Sequence, residues 1–408
     1  MRCILLSIFL LLPIGAAAQT QTDSSSRIPD IQQQLKDLQD RLSKLEGAPT
    51  MAAPAASRET EDREAGRIIV PAIPGVPQAF LPDIGIAGDF AFERNTLRKS
   101  DPRYSAADQQ PRIRDGQAVF FEPIDPYTLA QFTIDIPNPA DGGVANIEEA
   151  WIYFNKLPGG TAARIGRFLP QFGLLDLTNT FQLAMLDRPN AIGNYLGSDG
   201  MDGTGMELDA YVPNPWDWNL KLNMNALEGD VLGGSGQTRD LAYLATLDYS
   251  RDLFTSGSLQ AGVSAAQGPS PLGQSEALEE PYVQVQYAPT QRKVWTWSAE
   301  GMIAQRRGLG ANNDKSGFYT FLDYNFALRY HVGLLADWAD SSGALLPNQT
   351  VPIYGRQLTF GPNASWFVSD NTRLRLQYTH ETALASLRPD DRFTFQVTFS
   401  LGNLKQLQ

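Results

Sequence analysis

Cysteine is nearly absent from this chain, because the only one among its 408 residues is Cys3. The chain beyond it has no thiol for a disulfide, a thiolate metal site or a cysteine nucleophile. Histidine is almost as rare. With only two, His331 and His380, neither a three-histidine zinc site nor the H-E-x-x-H zinc motif can be built. The sequence therefore predicts no metal and no other cofactor.

Long hydrophobic runs are also missing, except at the N-terminus. Hydrophobic residues make up 42% of the chain, which is too few for a bundle of membrane helices. The exception combines Arg2, an apolar core from Ile4 to Ile14 and the small residues Ala16 to Ala18. This pattern is typical of a secretory signal peptide. Residues 1–18 are therefore predicted to direct export and to be cleaved off after Ala18.

Positive charge is scarce. The chain has 33 lysines and arginines against 45 aspartates and glutamates, a net charge of −12. Cleavage after Ala18 removes Arg2 and leaves 32 basic residues and a net charge of −13. An acidic protein repels a phosphate backbone, so nucleic acid is excluded as a partner.

A short heptad pattern follows the predicted signal peptide. Its two apolar positions are Ile28, Leu35, Leu42 and Ile31, Leu38, Leu45. Residues 19–46 are therefore predicted to form an oligomerising coiled-coil helix, with a lone amphipathic helix as the alternative. Residues 47–80, rich in alanine, proline and charge, are predicted to be a linker. The main domain spans residues 81–408.

Alternating hydrophobicity dominates the main domain. Apolar residues occupy every odd position from Phe393 to Leu401, and polar residues every even position from Arg392 to Ser400. About sixteen segments show this period of two, which is typical of strands with one apolar and one polar face. A soluble β-sandwich and a membrane barrel would both produce it.

The lengths of the connections distinguish these two folds. Short turns, predicted at 125–127, 156–161, 213–215, 251–256, 288–292 and 370–371, alternate with long polar stretches. The long stretches are 93–116, 137–146, 169–204, 227–239, 266–280, 305–316, 340–353 and 383–390. Such sorting is typical of outer-membrane barrels, which have short periplasmic turns and long external loops. The predicted fold is all-β: a transmembrane antiparallel β-barrel of about 16 strands, preceded by the short helical segment.

Five motifs between Pro82 and Leu208 carry a resemblance to a known group of proteins. They are PDIGIAGDF at 82–90, DPY at 125–127, IEEAWIYFNKLPGG at 147–160, RIGRFLPQFG at 164–173 and DRPN...NYLGSDGMDGTGMEL at 187–208. Together they resemble a group of Gram-negative porin-like outer-membrane proteins related to the phosphate-selective porins. The resemblance implies a trimeric porin with an N-terminal helical segment. The scarcity of lysine departs from the phosphate-selective pattern and does not support phosphate selectivity.

Candidate pore-lining residues come from two sources. The polar faces of the strands contribute Lys221, Arg329, His331, Asp337, Arg373 and Arg375. The segment 169–204 is too long for a tight turn and too apolar for an exposed loop, so it is predicted to fold into the barrel and narrow it. It contributes Asp187, Arg188, Asn194, Tyr195, Asp199 and Asp202. The alternatives are charges that merely pair across strands and a segment that forms an external lid or a subunit contact.

Catalysis is a second class of function. His380 is predicted near the outer rim on the lipid-facing side, where a lipid hydrolase could use it with a serine. No G-x-S-x-G element accompanies it, so an ordinary interfacial histidine is the alternative. The chain is not predicted to be an enzyme.

The sequence thus predicts a porin in the outer membrane of a Gram-negative bacterium, in contact with outer-membrane lipid. It is predicted to be a homotrimer that lets small hydrophilic solutes or ions diffuse passively. A non-conducting structural or adhesive barrel is the alternative.

Overall fold

The computed structural model describes residues 82–99, 109–136, 144–197, 199–216, 218–229, 231–232, 240–269, 275–290, 292–306, 313–342, 354–383 and 389–402. All of these belong to the main domain. The predicted signal peptide (1–18), helix (19–46) and linker (47–80) lie outside the described residues.

Sixteen antiparallel strands form a closed barrel, as the sequence predicts. Each strand pairs with its sequence neighbours, and the last strand pairs with the first. The strands are β1 Asp83–Asn95, β2 Pro111–Asp125, β3 Thr128–Asp135, β4 Asn146–Leu157, β5 Thr161–Phe168, β6 Gly203–Tyr211, β7 Asn219–Glu228, β8 Leu241–Leu253, β9 Gly257–Pro269, β10 Ser275–Thr290, β11 Lys293–Arg306, β12 Asn313–Phe326, β13 Tyr330–Ser342, β14 Tyr354–Ser369, β15 Thr372–Ala383 and β16 Asp390–Gly402. Closure removes the sheet edges that lipid could not satisfy.

The outer face of the barrel is apolar. On β16, Phe393, Phe395 and Leu401 are 44–56% exposed, whereas the alternate residues Gln396 and Thr398 are fully buried. A water-soluble protein rarely exposes contiguous rows of large apolar side chains, and a transmembrane barrel requires them on its lipid face. On β16 the apolar face therefore points outward and the polar face points into the barrel.

Aromatic rings mark the end of the barrel at which the strands are joined by short turns. Trp295, Tyr324, Phe326 and Tyr330 form a continuous stack, with centroid separations of 3.9, 5.6 and 5.5 Å. Tyrosine and tryptophan are enriched where a barrel meets the membrane–water interface, because their rings are amphipathic. We call this the turn end of the barrel and the opposite end the loop end.

The strands are longer at the loop end than the sequence pattern indicates. β9 continues to Pro269 and β10 begins at Ser275, although 266–280 is predicted as one loop. β12 likewise begins at Asn313, inside the predicted loop 305–316. The residues of these strand ends do not alternate regularly between apolar and polar, so a period of two does not find them.

The long connection between β5 and β6 lies within the described residues except for residue 198. Residues 169–202 turn into the barrel, and we call them the inward segment. It contains a 3₁₀ turn at Thr180–Gln182 and one short helix, α1, at Asn190–Leu196. No helix in the described residues is long and apolar enough to cross a membrane.

Candidate functional site

The inward segment crosses the barrel interior and is held from several sides. The Gly173 backbone N–H donates to Ser264 Oγ on β9 at 2.9 Å, and the Leu186 N–H donates to Gln377 Oε1 on β15 at 2.9 Å. On β2, Gln117 Oε1 accepts from Asn179 Nδ2 at 2.8 Å. These contacts place the segment within the lumen.

Asp337 on β13 fixes the first turn of α1. Its carboxylate accepts from the backbone N–H groups of Asn190 and Ala191 at 2.8 and 2.9 Å. The first N–H groups of a helix have no partner inside the helix, and hydrogen bonds to a charged acceptor are worth about 1.5–3 kcal/mol each. Gly317 on β12 permits the close approach, since a Cβ there would lie 2.7 Å from Ala191 Cα.

Two arginines on β15 hold the middle of the segment. Arg375 donates to the carbonyl oxygens of Leu183 and Met185 at 2.5 Å each. Arg373 donates to the Leu183 carbonyl at 3.1 Å and to the Phe181 carbonyl. A guanidinium offers several donors in a rigid plane, so each arginine can bind two carbonyl groups that would otherwise lack partners.

An apolar core forms inside the barrel, against the β7–β13 wall. The segment supplies buried residues such as Phe172, Met185 and Ile192, and the wall supplies residues such as Leu244 and Met302. Burying this much apolar surface stabilises the segment strongly, because a fully buried side chain of this size is worth about 1.5–3 kcal/mol. The core fills the β7–β13 side, so open space in the loop half lies along β2–β5.

Arg188 and Asp176 brace the segment internally. Arg188 donates to the carbonyls of Leu175, Thr178 and Asp199 at 2.5, 2.8 and 2.9 Å. Asp176 is fully buried and accepts from the Met201 N–H at 2.7 Å. Burial raises the pKa of the Asp176 carboxyl to about 7, although the charge of Arg188 and the Met201 hydrogen bond both act to lower it.

Between the segment and the β2–β5 wall lies a polar cavity of about 240 Å³, which we call the loop-side chamber. The wall contributes Arg114, Asp115, Gln117, Asp135, Asn146, Glu148 and Arg167, and the segment contributes Leu169, Thr180, Asp199, Gly200 and Asp202. Charged residues predominate in this lining.

Two β-bulges create part of this lining. The β1–β2 register shifts at Asp89/Phe90, so that Arg114 is an extra residue and both it and Asp115 reach the chamber. A shift at Thr133/Ile134 between β3 and β4 makes Glu148 an extra residue beside the inward-facing Glu149. A bulge re-aims side chains in this way, and strict alternation cannot predict it.

The basic groups of the loop-side chamber are already paired. Arg114 forms ion pairs with Asp187 and, at 3.6 Å, with Asp89. Arg167 pairs with Asp202 and, at 3.1 Å, with Glu228.

Three acidic residues of the same chamber lack an ion pair of this kind within the described part of the chain. Among the described residues, Asp115, Asp135 and Glu148 form no ion pair with a basic side chain; Glu148 accepts from Gln117 Nε2 at 2.6 Å. The open space is therefore bordered by carboxyl groups that no described basic side chain pairs with, and two of them, Asp115 and Asp135, share a hydrogen bond.

A second cavity, of about 350 Å³, lies between the segment and the turn end, and we call it the turn-side chamber. Its ceiling is the apolar underside of the segment, including Leu174 and Met185, and its wall comes from β10–β15. Phe367, Arg373 and Arg375 also border it. The segment thus separates two chambers of different chemistry.

Ten of the twelve predicted site residues fall into four places. Asp199 and Asp202 line the loop-side chamber, and Asp187 contacts it through Arg114. His331, Arg373 and Arg375 line the turn-side chamber. Asp337, Asn194 and Tyr195 anchor α1: Asn194 Nδ2 lies 3.5 Å from Gln357 Oε1, and the Tyr195 hydroxyl donates to the Asp340 carbonyl at 2.9 Å. Arg188 is buried within the segment.

Two predicted residues lie apart from both chambers. Lys221 pairs with Asp209 at 3.1 Å and donates to Gln171 at 3.2 Å. Arg329, expected on the polar face of a strand, is instead exposed in the β12–β13 turn, where it donates to the Val368 carbonyl at 3.4 Å. Positive φ values at Ala327 and Leu328 end the strand before it.

Asp115, Glu148, Arg114 and Arg167 are the site residues that the sequence prediction omits. The adjacent charges of Arg114-Asp115 and Glu148-Glu149 break the alternation of their strands. These breaks are the only sign of the two bulges in the sequence. The break at Arg114-Asp115 falls within the predicted loop 93–116 and is therefore not recognised.

His380 lies on the outward face near the loop end, where its Nδ1 is 2.7 Å from Asp391 Oδ1. The Tyr378 hydroxyl donates to the same carboxylate oxygen at 2.6 Å. Among the described residues, no serine hydroxyl is hydrogen-bonded to His380, and no cluster of three His, Cys, Asp or Glu side chains has an arrangement able to hold a metal ion.

No family model matches the chain. An uncharacterised protein of Aquifex aeolicus is 25% identical over 239 residues, covering 50% of this chain and 49% of that protein. The chain therefore spans about half the length of the curated relative it matches.

Solved structures match over more of the chain. The outer membrane channel DcaP of Acinetobacter baumannii aligns with a TM-score of 0.53 and 12% identity, covering 78% of this chain and 96% of its own. OmpF of Salmonella typhi aligns at 0.54 and 11%, covering 80% and 99%. The anion-selective porin from Comamonas acidovorans aligns at 0.50 and 12%, covering 78% and 98%. The chain has the fold of outer-membrane porins; identities this low show the fold alone.

Proposed function

We propose that the protein is an outer-membrane porin of a Gram-negative bacterium through which small hydrophilic solutes or ions diffuse passively. The observation that carries this proposal is the loop-side chamber: a polar cavity left open between the inward segment and the β2–β5 wall. The inward segment packs against an apolar core on one side and borders this polar cavity on the other. A barrel that served only as a scaffold would not need the polar cavity.

The membrane placement rests on the outer face and on the sorted connections. Exposed apolar side chains around the barrel suit a lipid environment. With the start of β1, the end of β16 and the short turns in the periplasm, the loop-side chamber faces the outside of the cell. The signal peptide, the helix at 19–46, the homotrimer and the kinship with phosphate-selective porins stay predictions from sequence.

The charge of the chamber supports a preference for cations and neutral solutes over anions. Asp115, Asp135 and Glu148 border the open space, whereas Arg114 and Arg167 are engaged in ion pairs. Charged rings at a narrow point of a pore impose selectivity of this kind. Any solute that uses this route has to pass close to these carboxyl groups.

Liposome swelling tests the function. Proteoliposomes should swell in neutral sugars and amino acids at rates that fall with solute size, because passage is limited by a narrow polar route. Liposomes carrying heat-unfolded protein are the control for leakage. Swelling no faster than in that control would contradict the proposal and favour the non-conducting structural or adhesive barrel.

A further inference from the structure

Among the described residues, no acidic side chain forms a direct ion pair with Arg373 or Arg375. Each arginine is 2% exposed. The nearby Asp89 is 3.6 Å from Arg114 instead. Buried charges are normally paired, because leaving one unpaired in a low-dielectric interior costs several kcal/mol.

Backbone carbonyls satisfy only part of what these guanidinium groups offer. The two arginines donate to three carbonyl groups of the inward segment, and Arg375 Nε donates to Ser365 Oγ at 3.1 Å. Arg373 Nε is buried and has no hydrogen-bond partner. Carbonyl dipoles also leave the net charge of the pair in place.

The arginines border a space large enough for a ligand. The turn-side chamber measures about 350 Å³, within the ~300–1,000 Å³ of small-molecule sites. Around the arginines its surface is apolar, with Leu174, Leu183 and Met185 above and Phe367 on the wall. Phe367 also lies beneath the Arg373 guanidinium at 6.0 Å.

We propose that the turn-side chamber binds a small organic monocarboxylate, its carboxylate at Arg373 and its apolar body beneath the inward segment. A monoanion fits better than a phosphate, because most of the guanidinium donors are already engaged and the surface nearest to Arg373 includes the apolar side chains of Leu183 and Phe367. The far wall can hydrogen-bond a polar substituent, since His331 Nε2 has no partner while Nδ1 lies 2.9 Å from Asp323. The wall residues lie at the turn end of their strands, so the ligand enters from that end.

Binding of such a ligand does not depend on conduction and can be tested at equilibrium with the full chain in detergent. Benzoate, benzamide and benzylammonium share one ring and differ in charge, so calorimetric titrations separate the carboxylate from the apolar body. Benzoate should bind saturably and at least about tenfold more tightly than the other two, as a charge-assisted hydrogen bond implies.

Two variants locate the binding. Ala184 is exposed to the chamber, so Ala184→Phe should fill the cavity and abolish benzoate binding while both arginines stay in place. Ala364→Phe, the same change on the outward face of β14, is its matched control and should bind normally. Arg373→Gln should weaken benzoate selectively, and circular dichroism checks that it folds.

Three results would overturn the proposal. They are benzoate binding no tighter than benzamide, benzoate affinity unchanged in Ala184→Phe, and chloride competing at equal concentration, which would show a simple halide site. If Arg373→Gln does not fold, the Ala184→Phe and Ala364→Phe pair decides the outcome alone.

Discussion

The two chambers of the lumen differ in the sign of the charge left over after pairing. In the loop-side chamber the arginines are neutralised by Asp187 and Asp202, and carboxyl groups remain. In the turn-side chamber the arginines remain, because they bind carbonyl groups rather than carboxylates. The chemistry of a pore wall therefore depends on which charges are already engaged, and a count of lumen charges does not reveal it.

The two halves of the barrel wall differ in the polarity of their inward-facing residues. Between β7 and β13 the inner wall carries apolar residues such as Leu227, Leu244 and Leu335, which pack against the inward segment. Between β2 and β5 it carries charged and amide residues. The β7–β13 wall packs against the apolar side of the segment and the β2–β5 wall leaves the route open, so the position of the route depends on the position of the core.

The largest expected effect is on conductance, when part of the inward segment is removed and the difference between the two halves of the wall is abolished. Deletion of residues 187–202 takes away α1, Arg188 and a large part of the apolar core, which opens the β7–β13 side. Single-channel conductance in planar bilayers should rise several-fold. Unchanged conductance would mean that the segment does not narrow the route.

A smaller effect is expected from changing the charge of one chamber only. The double change Asp115→Asn and Asp135→Asn removes two carboxylates of the loop-side chamber while keeping side-chain volume. Reversal potentials in asymmetric salt, measured at alkaline pH where these carboxyl groups are ionised, should shift toward those of an unselective pore, because ionised carboxylates attract cations.

The control for that experiment is Asp370→Asn, in the exposed β14–β15 turn, which should leave selectivity unchanged. Equal shifts in both proteins would contradict a role for the chamber. The changes Arg373→Glu and Arg375→Glu would be less informative, since both arginines hold the segment in place.

The smallest effect concerns Asp176. Its pKa is raised from 3.8 to about 7 by burial, so the folded protein binds this proton more tightly than the unfolded chain. The stabilisation is fully present below pH ~4 and is lost as pH rises through about 7. Protease cleavage of the inward segment should therefore accelerate over this range, and Asp176→Asn should reduce that dependence. An identical pH dependence in the variant would contradict the assignment.

The barrel was predictable because its determinants are periodic. The strand number comes from alternation, and the loop end from the sorted connections. The inward location of residues 169–202 was predictable from their apolar content.

The chambers themselves were not predictable, because bulges and pairing create them. Alternation places Glu149 inward but says nothing of the extra residue Glu148. It also assigns Arg329 to a strand that begins one residue later, at Tyr330. The carbonyl partners of Arg373 lie about 190 residues away in sequence, beyond the reach of any local pattern.

The central claim is that solutes pass along the β2–β5 wall, and two neighbouring cysteines test it most directly. Glu148 lines the loop-side chamber, whereas Ile147 is 49% exposed on the outer face. Cysteine is placed at either position in a Cys3→Ser background, which contains no other thiol. The resulting channels are treated with a positively charged methanethiosulfonate reagent.

We expect an irreversible fall in single-channel conductance for Glu148→Cys and none for Ile147→Cys. Unchanged conductance in Glu148→Cys, with labelling confirmed by mass, or an equal fall in both, would contradict a route along this wall.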